Sequence, residues 1–396
     1  MKPLLYIGVG VPWQEGAGYL VRQNMFLEAL AECVDLHLVL FNYDINAPRP
    51  HFPCDITPIE IFRHRSLSKA QQLFKDCFSP LPRWYRNYDL EKIQKPMTDL
   101  DLKRFPVIFS YRADYTYLAG VTQHPHLIID VDDPEYLRRK GGFILRKNWQ
   151  YDWRSRWDFK KMEVFERSLI KKAKMAFVCL KKDAIALNLP NLKVIPNTVA
   201  IPHSVDRHEK HDPTIIFVGN MSGGKNSPNN SGLVWFLEEV WPSICQQIPN
   251  CHFQLIGKIS EVMIEFINPL PHVESLGFVD NLAPIYSSAW LSVAPIKYGT
   301  GTRIKILEAL AHGCPVVTTP KGCEGIELIN NEHIIESHEE QFTISCINIL
   351  HNKVQRKQLS IAGHKFMLEH YSREKQHQKL VALFKDILFK PNPIDI

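Results

Sequence analysis

Short runs of apolar and β-branched residues alternate with amphipathic stretches along the first half of the chain. The run Leu4–Val9 is followed by a glycine-containing loop, a helical pattern over Tyr19–Glu32 and another apolar run at Leu36–Phe41. This order predicts a β-α-β unit. Because the segments that follow are long enough for crossover helices, the pattern indicates a parallel, doubly wound sheet. Its further strands are predicted at four later runs: Ile59–Phe62, Val107–Ser110, Leu127–Asp130 and Ala176–Cys179.

The same alternation restarts after a proline-containing segment at residues 196–213. Beyond the restarted part, residues 338–388 are helical in pattern, with an interruption near Tyr371. The pattern therefore predicts a second α/β unit of similar size. Its predicted elements are the helices Asn229–Gln247 and Arg303–His312 and the strands Thr214–Val218, Cys251–Ile256, Val273–Leu276, Leu291–Ala294 and Pro315–Thr318.

A chain of 396 residues is long enough for two domains of the α/β class. We expect a first Rossmann-like domain over residues 1–200, a linker over 201–213, a second Rossmann-like domain over 214–370 and a last helix in 371–396 that crosses back to the first domain. In parallel sheets ligands bind beyond the carboxyl ends of the strands. Two such domains therefore predict a central cleft for the ligand.

Composition narrows the class of protein. Hydrophobic residues make up 45% of the chain and charged residues 22%, values of globular domains that exclude disordered and fibrous classes. The apolar runs are far shorter than the roughly 18 residues that span a bilayer. No apolar leader follows the first residues, so we expect a cytoplasmic protein. Nine cysteines without a CxxC pair indicate reduced thiols rather than zinc ligands.

Positive charge is concentrated in one segment. The net charge of the chain is +5, whereas residues 138–174 alone hold 13 Lys or Arg against 4 Asp or Glu, a net +9. Within this segment Trp149, Trp153 and Trp157 are spaced to share one helix face. Tryptophans flanked by basic residues favour peripheral contact with an anionic membrane, here the inner face of the plasma membrane. A tryptophan stripe packed against the first domain is the alternative, and no other feature favours nucleic acid.

A short polar loop precedes the predicted helix Arg303–His312. It consists of four residues: Gly299, Thr300, Gly301 and Thr302. Thr302 is placed to cap the helix, and free amides at such a turn bind anions. Arg303 and Lys305 in the first turn oppose the helix dipole unless an anion is bound. The loop and its two cations are therefore predicted to bind a diphosphate, with pairing between Lys305 and Glu308 as the alternative.

Glu308 lies almost two turns into the same helix, between Leu307 and Ala309. A buried carboxylate is costly unless it accepts hydrogen bonds. Two vicinal ribose hydroxyls would supply them, so Glu308 is predicted to hold the ribose of a nucleotide. A surface or salt-bridged glutamate is the alternative.

The stretch Lys305–Val317 resembles the signature helix of glycosyltransferase family 4. The resemblance implies a GT-B fold and retaining transfer of sugar from a nucleoside diphosphate donor. It also implies that Glu308 holds the donor ribose, that Arg303 and Lys305 neutralise the diphosphate, and that no metal is needed. The resemblance spans the chain, is strongest over residues 194–325, and includes Phe217–Met221, Pro228–Asn230, Val194–Asn197 and Gly322–Gly325.

Two positions depart from the family pattern. The first glutamate of the common E-x7-E motif is replaced by Thr300, in a Gly-Thr-Gly-Thr-Arg pattern like that of a polysaccharide-associated branch. The histidine of the first domain corresponds here to Asp132 and Asp133. We expect one of these carboxylates to orient the acceptor hydroxyl or to accept its proton. Capping of the following helix is the alternative.

Two other loops follow predicted strands. Gly16 and Gly18 lie after the first strand, where a tight turn alone would need glycine; the resemblance implies that this loop faces the transferred sugar. In the second domain Gly219 and Asn220 follow a strand, and their backbone amides are predicted to meet the donor. Lys225 adds a cation to that loop.

The sequence therefore predicts an enzyme that transfers a sugar from a nucleoside diphosphate sugar to a hydroxyl of a glycan or lipid-linked acceptor. Cell-surface polysaccharide biosynthesis is the expected setting, and no cofactor, metal or nucleic acid is expected to take part. Two alternatives remain. A nucleotide-sugar 2-epimerase would have the same architecture, and a catalytically silent binding protein is suggested by Thr300 and the missing histidine.

Overall fold

The computed structural model describes residues 1–14, 18–63, 68–144, 153–224, 227–299 and 301–389. The chain divides into two compact units. Unit 1 comprises Met1–Asn197 together with Glu374–Ile396, and unit 2 comprises Thr198–Arg373. Each unit has its own sheet and its own hydrophobic core.

Unit 1 contains, within the described ranges, one sheet of seven parallel strands in the order β3-β2-β1-β4-β5-β6-β7. The register places Leu4 beside both Leu36 and Val107, so β1 lies inside the sheet. Strands buried on both faces are the ones that carry uninterrupted apolar runs. The strands are β1 (Pro3–Val9), β2 (Asp35–Phe41), β3 (Cys54–Ile59), β4 (Val107–Tyr111), β5 (Leu127–Asp132), β6 (Met175–Val178) and β7 (Leu192–Val194).

Helices follow most of these strands and cover both faces of the sheet. The unit has two hydrophobic cores: Phe26 of α1 lies in one, and Ile170 of α7 lies in the other. The helices are α1 (Gly18–Ala31), α2 (Lys69–Phe78), α3 (Arg83–Arg86), α4 (Leu90–Thr98), α5 (Ala113–Leu118), α6 (Glu135–Ile144), α7 (Trp153–Lys172) and α8 (Lys181–Leu187), with a 3-10 turn at Leu102–Arg104.

Unit 2 contains, in its described part, six parallel strands in the order β10-β9-β8-β11-β12-β13. The strands are β8 (Thr214–Val218), β9 (His252–Ile256), β10 (Val273–Gly277), β11 (Leu291–Ala294), β12 (Val316–Thr318) and β13 (Ile335–Glu336). The helices are α9 (Pro228–Trp235), α10 (Trp241–Gln247), α11 (Glu261–Ile267), α12 (Ala283–Ser288), α13 (Ile304–Ala311), α14 (Pro320–Cys323), α15 (Glu339–His351) and α16 (Lys353–His370).

The helix predicted over Asn229–Gln247 is divided by a π-helical stretch at Phe236–Val240. Pro242 follows directly and has no backbone N–H for the regular ladder, so the preceding turn widens. Trp241 donates its backbone N–H to the carbonyl of Phe236, the longer bond of a π turn. α9 and α10 therefore form one rod with a wide turn in the middle.

The last helix, α17 (Arg373–Phe389), packs on unit 1. The ring of Phe384 lies 5.9 Å from that of Phe109 and 6.2 Å from that of Phe26. His377 lies 2.7 Å from a carboxylate oxygen of Glu32, just after α1. The predicted fold class, two Rossmann-like domains with parallel sheets, is confirmed, and the last helix joins the first domain's core.

Several predicted elements are corrected. The strand predicted at Ile59–Phe62 is wrong, because the observed strand ends at Ile59. Pro58 lies inside β3, which is tolerated since β3 is an edge strand where a missing N–H faces away from the ladder. The short strands β7 and β13 lie outside the predicted set. No helix in the described residues has the length and apolar character to cross a membrane.

Candidate functional site

Lys305 lies in the first turn of α13 and reaches the end of β8. Its Nζ donates a hydrogen bond to Oδ1 of Asn229 at 2.9 Å and lies 3.9 Å from the centre of the Phe217 ring. A Cβ built on Gly219 would lie 2.8 Å from this Nζ. A side chain at residue 219 would therefore displace the ammonium group from its present position.

The environment of Lys305 disfavours its charge. Burial, together with the neighbouring charge of Arg303, lowers the pKa of Lys305 to about 7, and Glu308 opposes the shift. An anion bound at this point would restore the charged form, because an opposite charge close to an ammonium group stabilises it. Two cations at the start of one helix therefore repel each other and the helix dipole, and an anion would relieve this repulsion.

Glu308 lies about one turn further along α13. Burial raises its pKa to about 7, against the influence of Tyr286 and Lys305. The Tyr286 hydroxyl lies 3.5 Å from Oε2 of Glu308, and the buried Tyr286 ring stacks on His312 at 5.6 Å. The carboxylate therefore keeps acceptor capacity for a ligand with neighbouring hydroxyl groups.

The loop before α13 uses glycine for its conformation and its space. Gly299 has φ of 112° and Gly301 φ of 78°, both in the left-handed region. A Cβ on Gly299 would lie 2.9 Å from Nη2 of Arg303, which donates to the carbonyl of Tyr298 at 3.4 Å. The loop therefore brings Arg303 against its own backbone.

The predicted cap of α13 is wrong. The N-cap position is Arg303, which makes no side-chain capping bond, and Ile304 donates its N–H to the Thr302 carbonyl. Oγ1 of Thr302 is buried and has no hydrogen-bond partner among the described residues. The threonine side chain is turned into the protein, so it does not reach the amides of the first turn.

The loop after β8 is held by two asparagines. Asn229 donates Nδ2 to the carbonyl of Asn220 at 2.9 Å, and Asn230 donates Nδ2 to the carbonyl of Gly223 at 2.6 Å. Asn220 accepts the N–H of Ser222 at 2.9 Å. Asn229 thus connects the predicted residue Asn220 to the Lys305 ammonium. Asn229 is absent from the predicted site residues, although the stretch Pro228–Asn230 that carries part of the resemblance contains it.

Asp132 ends β5 in unit 1. Its φ is 59°, a strained conformation for a residue with a side chain, and the register of β5 with β6 shifts at this point. The Tyr111 hydroxyl donates to Oδ2 at 3.1 Å, and Nε of Arg22 lies 3.4 Å from Oδ1. Burial raises the pKa of Asp132 to about 7; Arg22 opposes this shift, and the nearby carboxylates Asp133 and Asp130 add to it.

Arg22 anchors the same end of the sheet. Its Nη2 donates to Oδ1 of Asp130 at 2.6 Å and its Nε to Oδ2 at 2.8 Å. Its Nη1 donates to the Ile195 carbonyl and to Oδ1 of Asn197, both at 2.8 Å. Arg22 and Asp130 are fully buried, so their contacts tie α1 to β5 and to the end of the unit.

Glu166 caps α6, the helix that follows Asp133. Its two carboxylate oxygens accept the N–H of Glu135 at 2.9 Å and that of Tyr136 at 3.0 Å. Burial raises the pKa of Glu166 to about 7. A residue of α7, and not Asp132 or Asp133, therefore caps these two amides. The feature of the sequence that could have indicated this cap is a glutamate on the otherwise apolar face of α7.

The predicted site residues form three groups in the structure. Gly219, Lys305 and Glu308 lie together in unit 2, with Asn220 connected through Asn229. The second group is the loop with Gly299, Gly301, Thr302 and Arg303. The third comprises the residues of unit 1, where Asp132 ends β5, Asp133 follows it and Gly18 begins α1. Gly16, Lys225 and Thr300 lie outside the described residues.

Sequence comparison gives two kinds of match. Residues 212–352 match the family model described as "Glycosyl transferases group 1". A curated relative from Klebsiella pneumoniae, described as "Uncharacterized 44.6 kDa protein in cps region", is 26% identical over 194 residues, which are 46% of this chain and 49% of the relative. The match thus spans about half the length of that relative.

Two solved structures extend the comparison to the whole fold. Sucrose-phosphate synthase from Thermosynechococcus elongatus is 14% identical, with a TM-score of 0.71 over 98% of this chain and 99% of that one. A mutant of TarM from S. aureus, solved with Fondaparinux, alpha-GlcNAc-glycerol and UDP, is 12% identical, with a TM-score of 0.65 over 97% and 100%. The chain therefore has the GT-B fold, and its unit 2 contains a segment similar to group 1 glycosyl transferases.

Proposed function

We propose that the chain is a retaining glycosyltransferase of family 4. It moves a sugar from a nucleoside diphosphate sugar to a hydroxyl of a glycan or lipid-linked acceptor, in the biosynthesis of cell-surface polysaccharide. The match of residues 212–352 to group 1 glycosyl transferases supports the reaction class. The cps region named for the K. pneumoniae relative supports the setting. The UDP and alpha-GlcNAc-glycerol in the TarM structure support the two substrate classes.

The observation that carries the proposal is the pair Lys305 and Glu308 on one face of α13. Among the described residues neither side chain forms an ion pair, and the sole hydrogen bond of the ammonium goes to Asn229. Both side chains are half-buried. Poorly paired charges that are shielded from water destabilise a protein, and a ligand of opposite charge or with hydroxyl donors would complete them. In the proposed complex the diphosphate takes the place beside Lys305 and Arg303, and Glu308 accepts the ribose hydroxyls.

The proposed reaction needs positive charge at the leaving group. As the bond between the anomeric carbon and the phosphate oxygen breaks, negative charge develops on the diphosphate, and Lys305 and Arg303 stabilise it without a metal ion. The acceptor oxygen forms the new bond on the same face of the sugar. Asp132 and Asp133 of unit 1 are proposed to orient the acceptor hydroxyl and to take up its proton at a carboxylate oxygen.

Calorimetric titration with UDP, GDP, ADP, TDP and CMP tests the donor site. We expect one diphosphate to bind selectively, Lys305→Met and Glu308→Gln to weaken it, and Lys365→Met to leave it unchanged. Lys365 is a suitable control because its side chain is 74% exposed and its ammonium lies near Glu369 on α16. Absence of any nucleotide binding would remove the basis of the proposal.

The corresponding nucleotide sugars then distinguish the reactions. Transfer to an acceptor, with the anomeric configuration read by NMR and the rate unchanged by a chelator, is the expected result. Conversion of the donor sugar without an acceptor would identify an epimerase instead. Binding of the nucleotide sugar with neither reaction would identify a silent binding protein.

A further inference from the structure

Helix α2 turns its apolar residues outward. Their spacing follows one helix face: Ala70, Leu73, Phe74, Cys77 and Phe78. Leu73 is 43% exposed, Phe74 64% and Phe78 73%. Among the side chains of α2 that the structure describes, Asp76 alone is buried. This is the reverse of an ordinary surface helix, whose charged residues face water and whose aromatic residues face the core.

A buried carboxylate holds α2 in this orientation. Asp76 accepts hydrogen bonds at 2.6 Å from Nη2 of Arg83, Arg86 and Arg154. Lys161 donates its Nζ to the Asp76 backbone carbonyl, also at 2.6 Å. These contacts join α2 to α3 and to the first turns of α7. Asp158 is the second carboxylate here and accepts the backbone N–H of Arg83. Four cations therefore face two carboxylates, and the surroundings of α2 carry positive charge in excess.

The first turns of α7 continue the same surface. Trp153 is 56% exposed and Trp157 51% exposed, so the alternative of a tryptophan stripe packed in the core is wrong for these two residues. Trp149 lies outside the described residues. An open groove of about 760 Å³ lies beside them, lined by Cys77, Trp153, Arg156, Trp157, Phe159 and Lys160. Aromatic rings and cations are interleaved along this groove.

We propose that this surface, the aromatic face (Leu73, Phe74, Phe78, Trp153 and Trp157), docks on an anionic lipid bilayer. Tryptophan and phenylalanine insert at the boundary of headgroups and acyl chains, and surrounding lysines and arginines bind anionic headgroups. Exposed apolar patches of this kind mark sites of interaction. A second copy of the chain fits the surface less well, because it would bring two sets of cations together.

The docking proposal does not rest on sugar transfer. Vesicle binding is measured without a nucleotide, and nucleotide binding is measured without vesicles, so failure of one leaves the other intact. If both hold, the bilayer supplies a lipid-linked acceptor at the surface on which the enzyme rests.

Vesicle flotation of the full chain tests the aromatic face. We expect binding to vesicles of phosphatidylcholine mixed with phosphatidylglycerol, weak binding to phosphatidylcholine alone, and loss of binding as salt is raised. The double variant Phe74→Ser with Phe78→Ser should lower the partition coefficient about tenfold or more. Ile45→Ser with Ile185→Ser is the matched control, because these residues are 74% and 70% exposed elsewhere in unit 1. It should bind as the native chain does.

Cys77 provides a readout that needs no substitution. All nine cysteines lie in the described ranges, and Cys77 is the exposed one. A polarity-sensitive maleimide dye on Cys77 should shift its emission to the blue with phosphatidylglycerol vesicles and remain unchanged with phosphatidylcholine vesicles. Two results overturn the proposal. One is the absence of binding to anionic vesicles, and the other is a dimer in sedimentation equilibrium that the Phe74→Ser and Phe78→Ser changes dissociate.

Discussion

Two cations, the buried Arg22 of unit 1 and the half-buried Lys305 of unit 2, differ in how far the protein itself neutralises them. In unit 1, Arg22 donates to both oxygens of Asp130, to the Ile195 carbonyl and to Asn197. In unit 2, Lys305 has one hydrogen bond, to Asn229, among the described residues. We call the contacts of Arg22 the complete set, because they neutralise its charge without a ligand. The contacts of Lys305 are the incomplete set, because one neutral acceptor leaves its charge without a partner.

Under the proposed function, the difference separates charges that serve the fold from charges that bind the donor. Glu135 illustrates the first kind, because Arg112, Arg138 and Arg139 all contact it, and together they hold its pKa at about 2 against the opposing effect of burial. Glu308 illustrates the second, because burial dominates and raises its pKa to about 7. A carboxylate that its own protein leaves so poorly solvated has room for hydroxyl donors from outside.

The largest effect is expected from a substitution that removes the ion-pair partner of Arg22. Asp130→Ala removes the carboxylate that Nε and Nη2 of the buried Arg22 contact and leaves only Asp132, at 3.4 Å. We expect the free energy of unfolding to fall by about 3–5 kcal/mol. Urea denaturation followed by circular dichroism measures it. Asp55→Ala on β3 of the same sheet is the control, because that side chain is 82% exposed and should change stability by less than about 1 kcal/mol. Equal effects of the two changes would contradict the comparison.

The next effect concerns the incomplete set. Arg303→Ala, Lys305→Met or Glu308→Gln should each weaken nucleoside diphosphate binding by about 1.5–3 kcal/mol, because each removes charge-assisted hydrogen bonds to the ligand. Calorimetric titration gives the affinity. Lys305→Met should at the same time leave the free energy of unfolding unchanged or raise it, because a poorly paired, half-buried ammonium is removed. A loss of stability comparable to that of Asp130→Ala would place Lys305 among the structural charges.

A pH titration sharpens the same contrast. Because the pKa of Glu308 is raised from 4.5 to about 7, the folded chain keeps a proton that the unfolded chain releases, and stability falls as pH rises through this window. The lowered pKa of Lys305, from 10.5 to about 7, makes stability rise between about 7 and 10.5.

The measurement is the unfolding free energy of the native chain minus that of Glu308→Gln, at a series of pH values without nucleotide. The difference should decline from pH 4.5 to about 7 and then level off. The corresponding difference for Lys305→Met should climb above pH 7. A flat difference in both series would mean that the two side chains are solvated or paired in solution.

Much of the fold could be predicted because its signal is local. Runs such as Thr214–Val218 and Leu291–Ala294 match β8 and β11, since central parallel strands are apolar on both faces. The edge strand Cys54–Ile59 contains Pro58 and polar residues, so its pattern was weak and its predicted position was displaced. Strands of two or three residues, such as β13, are too short for any periodicity.

The site could be predicted only where its residues share one element. Arg303, Lys305 and Glu308 lie within two turns, and helix geometry alone brings them to one region. Their partners Asn229 and Tyr286 come from other elements, 76 and 22 residues away from Lys305 and Glu308 respectively, and no local pattern indicated them. Sequence spacing predicts which residues one helix presents, whereas their hydrogen-bond partners depend on tertiary packing.

The smallest predicted effect concerns Glu166, which has more hydrogen bonds than Lys305 but, unlike Arg22, no ion pair among the described residues. Glu166 accepts two amide N–H groups at the start of α6 but forms no ion pair among the described residues, so its charge is satisfied by dipoles alone. Because burial raises the pKa of Glu166 to about 7, its carboxyl is protonated at pH 5 and then matches an amide in shape and charge. Glu166→Gln is also uncharged but keeps only one of the two acceptor oxygens, so it should lower the free energy of unfolding at pH 5 by about 0.5–1.5 kcal/mol.

Raising the pH to 8 distinguishes burial from capping at this residue. The folded chain keeps the Glu166 proton longer than the unfolded chain does, so the native protein should lose stability relative to Glu166→Gln as pH rises through 7. Urea denaturation at pH 5 and pH 8 measures the change. Glu163→Gln is the control, because the native carboxylate lies on the same helix and pairs with the exposed Lys160. If the native chain instead becomes more stable relative to Glu166→Gln between pH 5 and pH 8, the hydrogen bonds from the two amides outweigh the cost of burying the charge. Glu166 would then be a charge that the protein itself neutralises, as Arg22 is.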